Sequence, residues 1–509
     1  MRKVLTITLS IAILTASAAS LSCSSALVER GLSTIVIQTS PPVGRALSGG
    51  WTMGEGTLPS FSSITVTVRG SGQDPVVGTF VDPSGAISLT VRPGSGLSVS
   101  VSATPDWAAT AVRYPDAQLP VLVSGYSGSA VIDAPANATV SATISLAPAT
   151  TRIPVPNPSG NWQLGVVDSL YSQSLEMYQV SGLSSDTHFA FDKSGLLYAS
   201  LPNGDVPGVG VFGTHLDTGP YDSIQFNPDY PVGSIALCSA SNRIYSLCSV
   251  EIEGTFNYYF QFVDLDDETL TPYDVTLDTP YAFDEYIDCG TLAVDALGYL
   301  YVPAYESSTE TYGILRFSVG EPSGGTAMAA PVAFASLEEL GLGYWYDGGD
   351  AGMVFNSLAI EDMTIANGVL VVALSDINPA QTYDYSSERL AGAAVCRGKI
   401  VALGLNPLRY LWETGWRDEL DRRPESPDAP GLFAPRRFLA VAPKRLYLLD
   451  EGFYVDVSKY SAETWYPFED VDRIVAIDLD SGTLTFGASG MTDGLVNYDS
   501  DPYSTYANC

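Results

Sequence analysis

Residues 290–304 read GTLAVDALGYLYVPA. An apolar run with Leu292 and Val294 stops at Asp295, a turn containing Gly298 follows, and a second run carries Leu300, Tyr301 and Val302. Apolar runs on both sides of an Asp/Gly turn predict a β-hairpin. The pattern returns at 187–201 (THFAFDKSGLLYASL), 234–249 (SIALCSASNRIYSLCS), 361–374 (EDMTIANGVLVVAL) and 437–449 (RFLAVAPKRLYLL). Aligning the second runs stacks Tyr198, Tyr245, Tyr301 and Tyr447 in one column, with Val371 in the fourth copy.

Each hairpin leads into a third apolar run: 209–216, 259–266, 313–319, 399–405 and 473–479. A fourth follows, as at 330–337 (APVAFASL) and 483–489 (TLTFGAS). Four strands per unit, repeated, predict an all-β fold built by radial repetition, a β-propeller over 159–509. Five blades are explicit. The runs 162–168 and 175–180, with 495–498 from the far end, predict a sixth closed by both ends of the domain, which leaves no open sheet edge.

Ahead of this lie about seven short runs in 33–149 that alternate Val, Ile or Leu with Ser or Thr, separated by turns such as Asp82-Pro83-Ser84-Gly85. Period-two alternation at this density predicts a β-sandwich. Residues 150–158 (TTRIPVPNP) are Pro-rich and are expected to be a linker, since Pro does not pair within a sheet interior.

The chain of 509 residues carries 57 Asp+Glu against 24 Lys+Arg, a formal charge of −33. That field repels phosphate backbones and argues against a nucleic-acid partner. Met1-Arg2-Lys3 followed by the apolar stretch 4–19 predicts an export signal over 1–22, too short to span a membrane. Ser20-Leu21-Ser22-Cys23 resembles a bacterial lipobox, although Ser20 stands where that family prefers Leu. The resemblance implies acylation of Cys23, a tether over 23–32, and a lipid-anchored place in the cell envelope, at the outer membrane or cell surface. The remaining cysteines are Cys238, Cys248, Cys289, Cys396 and Cys509, without CxxC spacing. Cys248 and Cys289 are expected at the same end of neighbouring hairpins and are the disulfide candidate.

The D-x-x-G-x-[IL]-Y-[VA] hairpin resembles those of NHL-like and quinoprotein-like propellers. Asp192/Gly195 and Asp295/Gly298 match it well, and Ser239/Asn242 in part. Residues 33–149 resemble the prealbumin-like or immunoglobulin-like modules of bacterial surface proteins, which implies a spacer.

Four long insertions (338–360, 376–397, 415–435 and 450–471) are expected on one face of the propeller, because they join second to third strands or one blade to the next. They carry Tyr344, Trp345, Tyr346 and Asp347; Tyr383, Asp384 and Tyr385; Trp416; and Tyr454, Trp465 and Tyr466. Aromatic rings beside carboxylates fit a glycan, peptide or protein ligand. They equally fit a cap in which the rings pack the loops together.

Catalysis has fewer candidates. His188 opens a first strand, and Asp186, Asp288, Glu361 and Asp362 begin or precede others. Their convergence would resemble the calcium site of propeller lactonases, and a metal-dependent hydrolase is the alternative reading. No nucleophile elbow, HExxH, P-loop or dinucleotide fingerprint occurs. The expected function is therefore binding, with no cofactor in the leading reading and calcium in the alternative.

Overall fold

A computed structural model describes most of residues 32–487. Outside the description lie 1–31, 42–56, 157–162, 169–175, 185–186, 203–207, 214–215, 217–221, 228–231, 283–290, 348–351, 379–394, 417–430, 456–467 and 488–509, with positions 82, 84, 239, 253–254, 268, 278–279 and 443. The chain is all-β: 34 strands and one helix among the described residues. No described helix is long and apolar enough to cross a membrane.

Contacts divide the chain into two units, one of 1–39, 64–101 and 128–144, the other of 40–63, 102–127 and 145–509. The division passes through strands Phe61–Arg69, Gly94–Pro105 and Val123–Ala134. In the first unit Ser33–Ser40 pairs antiparallel with Ile87–Val91, and its alternate residues Ile35 and Ile37 are buried. The Val/Ser alternation of Gly94–Pro105 likewise puts Val99 and Val101 inside and leaves the serines exposed. The sequence reading did not anticipate the helix Trp107–Arg113, capped by Asp106, whose Oδ1 accepts from Ala109 N–H at 2.9 Å.

The second unit holds the repeats. Five sheets follow one another along the chain, each antiparallel and in sequential strand order over most of its width. They span 189–225, 234–276, 281–336, 359–414 and 435–486. The outer strands of the second and third join by parallel pairing, Asp274 to Thr326 through Thr276 to Met328. First strands of successive sheets touch, and that of the fifth touches that of the first, so five inner strands close a ring.

Between sheets the packing is face to face. Tyr198, Val209 and Ile224 meet Ile235, Ile244 and Val263. Tyr245, Phe260 and Phe262 meet Leu300, Val302 and Phe317. Tyr301 and Ile314 meet Leu370, Val372 and Val401, while Val371, Ala373 and Ile400 on the opposite face meet Leu446, Leu448 and Val475. Second strands are thus buried on both faces, which is why Val369–Leu374 is continuously apolar rather than alternating.

A sixth, three-stranded sheet corrects the linker expectation. Ile153–Pro156 is a strand that pairs with Gln163–Val167, which pairs in turn with Glu176–Gln179. The prolines are tolerated because this strand lies at the sheet's edge and needs only one partner. Ile153 and Val155 pack on Leu439, Leu449 and Ile474 of the fifth sheet. Leu164 and Val166 pack on Leu197, Ala199 and Phe212 of the first. The two runs expected to begin the sixth unit, 162–168 and 175–180, are therefore strands of one sheet, whereas 495–498 lies outside the described residues.

Candidate functional site

The ring of inner strands encloses a cavity of about 520 Å³. Its middle is lined by small apolar side chains, including Ala190, Ala236, Ala293 and Ala440, and His188, Ser234 and Asp362 stand at one end. His188 precedes its first strand and Ser234 opens one, whereas Asp362, expected with Glu361 at a strand start, is the fourth residue of Ala359–Ala366, just after a register irregularity between Ile360 and Asp362.

These rim groups are engaged with one another across the sheets. Leu292 N–H donates to Ser234 Oγ at 3.2 Å, linking the second and third sheets. Thr291 Oγ1 donates to Asp362 Oδ1 at 3.1 Å, and Met363 N–H reaches the same carboxyl oxygen at 2.8 Å and Thr291 Oγ1 at 3.0 Å. Phe438 N–H donates to Asp362 Oδ2 at 2.8 Å, linking the fourth sheet to the fifth. Arg437 of the fifth sheet donates to His188 Nε2 of the first. Asp362 Oδ1 stands 3.8 Å from His188 Nδ1. Burial, opposed by Arg437 and these donors, raises the Asp362 carboxyl to about 6. Burial and the neighbouring guanidinium hold His188 well below the ordinary histidine range, so its imidazole is neutral at pH 7.

Of the five residues considered for calcium, His188 and Asp362 meet at this end. Glu361 is held by Arg436 Nη1 at 2.6 Å and by Ser375 Oγ. Asp186 and Asp288 lie outside the described residues. No group of three or more His, Cys, Asp or Glu with metal-holding geometry occurs among the described residues. Arg437 is a residue the sequence reading missed. It stands one position ahead of the apolar run Phe438–Val441 and carries no motif.

The aromatic insertions divide into two sets. Residues 338–360, expected as a loop, contain a two-stranded hairpin, Gly343–Asp347 paired with Met353–Ser357. The alternation opposes Trp345 to Phe355 on one face, while Tyr344 and Tyr346 occupy the other. Tyr344 meets Trp416 with centroids 5.3 Å apart, and Arg397 is stacked against both rings, its Cζ 4.4 Å from Tyr344 and 4.3 Å from Trp416. Asp376 Oδ2 accepts from Arg397 Nη2 at 2.9 Å. Lys399 Nζ donates to the carbonyls of Gly341 (2.9 Å) and Gly343 (2.6 Å) and to Glu413 Oε2 (2.8 Å). Tyr344 and Trp416 thus serve as packing for buried cations, the cap role.

Trp345 is different. It is 51% exposed, edge-on to Phe355 at 5.4 Å, and Met353 on the same face is 62% exposed. Tyr346 is 46% exposed. Phe355 and Met353 went unnoticed in the sequence. Their signal was the alternation MVFNS facing GYWYD across a Gly/Asp turn.

Asp347 and Tyr454 lie in strands, their side chains outside the described residues. Tyr383, Asp384, Tyr385, Trp465 and Tyr466 lie outside altogether, as do Cys23 and Cys289, and with them any test of the Cys248–Cys289 pair. The insertions 376–397 and 450–471 are partly strand: Val369–Asn378 with Val395–Leu405, and Arg445–Val455 with Phe468–Asp478, run past the sheet as long hairpins.

No protein-family model matches the chain. No curated protein matches it either. Among solved structures, an auxiliary nutrient binding protein from Bacteroides ovatus is similar at 11% identity and a TM-score of 0.28, over 91% of this chain and 98% of its own. Similarity at that level carries neither fold nor function.

Proposed function

We propose that the chain is an exported binding protein of the bacterial cell envelope, tethered through a lipid on Cys23. In this reading a β-sandwich over 33–149 acts as spacer, and a β-propeller of six blades presents an aromatic face to a glycan, peptide or protein. The closed contact of five first strands, with a sixth sheet packed between the fifth and the first, supports the propeller. The single observation that carries the binding role is the hairpin 343–357. It holds Trp345 and Met353 more than half exposed on one ordered β face, where an isolated fold would gain by burying them.

The alternative, a calcium-dependent hydrolase at the cavity end, has less support. Arg437 puts a positive charge on His188, where a bound cation would have to sit, and the oxygens of Asp362 already accept from three donors of the fold. Glycan-array and pull-down measurements on the exported form test the leading reading. Trp345→Ala is expected to weaken the ligand found by about tenfold or more while leaving the melting transition in place. Unchanged binding of every ligand by that variant would sink the assignment.

A further inference from the structure

The two faces of the hairpin 343–357 meet different environments. On one, Tyr344 stacks on Arg397, and Lys399 lies 5.7 Å from the centroid of Trp416, so these two rings are already matched to cations of this chain, and Tyr346 alone on that side is 46% exposed. On the other, Trp345 and Met353 are the open part of an apolar strip that runs inward through Phe355, itself partly buried against the core. The register adds an acid to that face, Asp347 opposite Met353, which suits a cationic side chain beside the apolar groups; the polar Asn356 pairs with Tyr344 and belongs to the opposite face. Net charge narrows the choice further. At −33, a second copy of this chain is repelled, as is any anionic partner. A partner carrying Arg or Lys gains from the field and from the exposed indole face of Trp345.

Resting on the binding role proposed above, we infer that the occupant of the Trp345–Phe355–Met353 strip is a polypeptide segment in which Arg or Lys alternates with apolar side chains. Its apolar groups cover Met353 and Phe355, and its cation lies over Trp345 as Arg397 lies over Tyr344 on the reverse side. An extended strand suits the strip, because its side chains alternate with the same period as the hairpin's own.

The test is a calorimetric titration of the full chain in detergent with three probes: a short alternating Arg-Leu peptide, its Glu-Leu counterpart and a neutral oligosaccharide. The Arg-Leu peptide is expected to bind, to lose about tenfold or more in affinity with Trp345→Ala and with Met353→Ser, and to retain part of its affinity at raised salt. The other two probes are expected not to bind. Peptide binding that both variants leave intact, or that raised salt abolishes, would show diffuse charge attraction and overturn the inference. An oligosaccharide that binds through Trp345 while the peptide does not would overturn the polypeptide assignment yet leave the hairpin as recognition element. Binding of all probes independent of Trp345 would remove both.

Discussion

Asp192 and Asp295 explain why the repeat needs an acid where its first strand ends. Asp295 Oδ1 accepts from Leu297 N–H at 2.9 Å and Tyr299 N–H at 3.0 Å, and Gly298 takes the positive φ of 87° that turns the chain back. Asp192 Oδ1 does the same for Ser194 and Leu196 N–H, with Gly195 at 88°. In the third sheet the remaining oxygen of Asp295 accepts from Tyr301 Oη at 2.9 Å, tying the turn to the tyrosine column. The first sheet differs: burial raises Asp192 from 3.8 to about 6, despite the three donors on Oδ1. A carboxyl whose folded pKa lies above its unfolded one adds stability below about 3.8 that is lost as pH rises through about 6. Asp192→Asn keeps the Oδ1 acceptor and removes the charge. Chemical denaturation of the two proteins between pH 4 and 7 is expected to show the parent losing stability relative to the variant as pH rises. Parallel curves would mean that Asp192 titrates normally.

Two buried cations hold the aromatic hairpin, Arg397 by stacking on Tyr344 and Lys399 by hydrogen bonds to its backbone. Lys399 is buried, yet it donates to two carbonyls at the start of the first hairpin strand and to Glu413. Lys399→Met keeps the aliphatic stem and leaves those acceptors without the ammonium. We expect a loss of about 2–4 kcal/mol. Hydrogen exchange is expected to localise most of it to residues 341–357, with the second and third strands of the fourth sheet still protected. Uniform loss of protection would show that Lys399 holds the whole sheet rather than this insertion. The strand Ile153–Pro156 illustrates the same point from the opposite direction. Pro154 and Pro156 disfavoured a strand by composition, but edge placement removes the objection, and the alternation that buries Ile153 and Val155 then decides.

For the whole repeat unit, closure rests on apolar faces and on a few polar links at one end of the cavity. Asp362 is central among them, since it receives donors from the third, fourth and fifth sheets. Asp362→Ala would strand Thr291 Oγ1 and Phe438 N–H, while relieving a carboxylate that burial already disfavours. The two effects oppose, and a net loss of about 2–3 kcal/mol is expected in a denaturant melt, with Asp362→Asn closer to the parent. A variant as stable as the parent would show that the apolar interfaces close the ring unaided.

Strand content, the hairpin repeat and the acid-and-glycine turns could be read from residue order because they are local: period-two burial and a positive φ are imposed within a few positions of the residue concerned. Contact between the fifth and first sheets, the division of Tyr344 from Trp345, and the pairing of Arg437 with His188 could not be read that way. Arg437 and His188 are 249 positions apart, and nothing in either neighbourhood encodes the other. Which face of a strand meets protein and which meets solvent is fixed by the sheet packed beside it, and that neighbour exists only once the chain has folded.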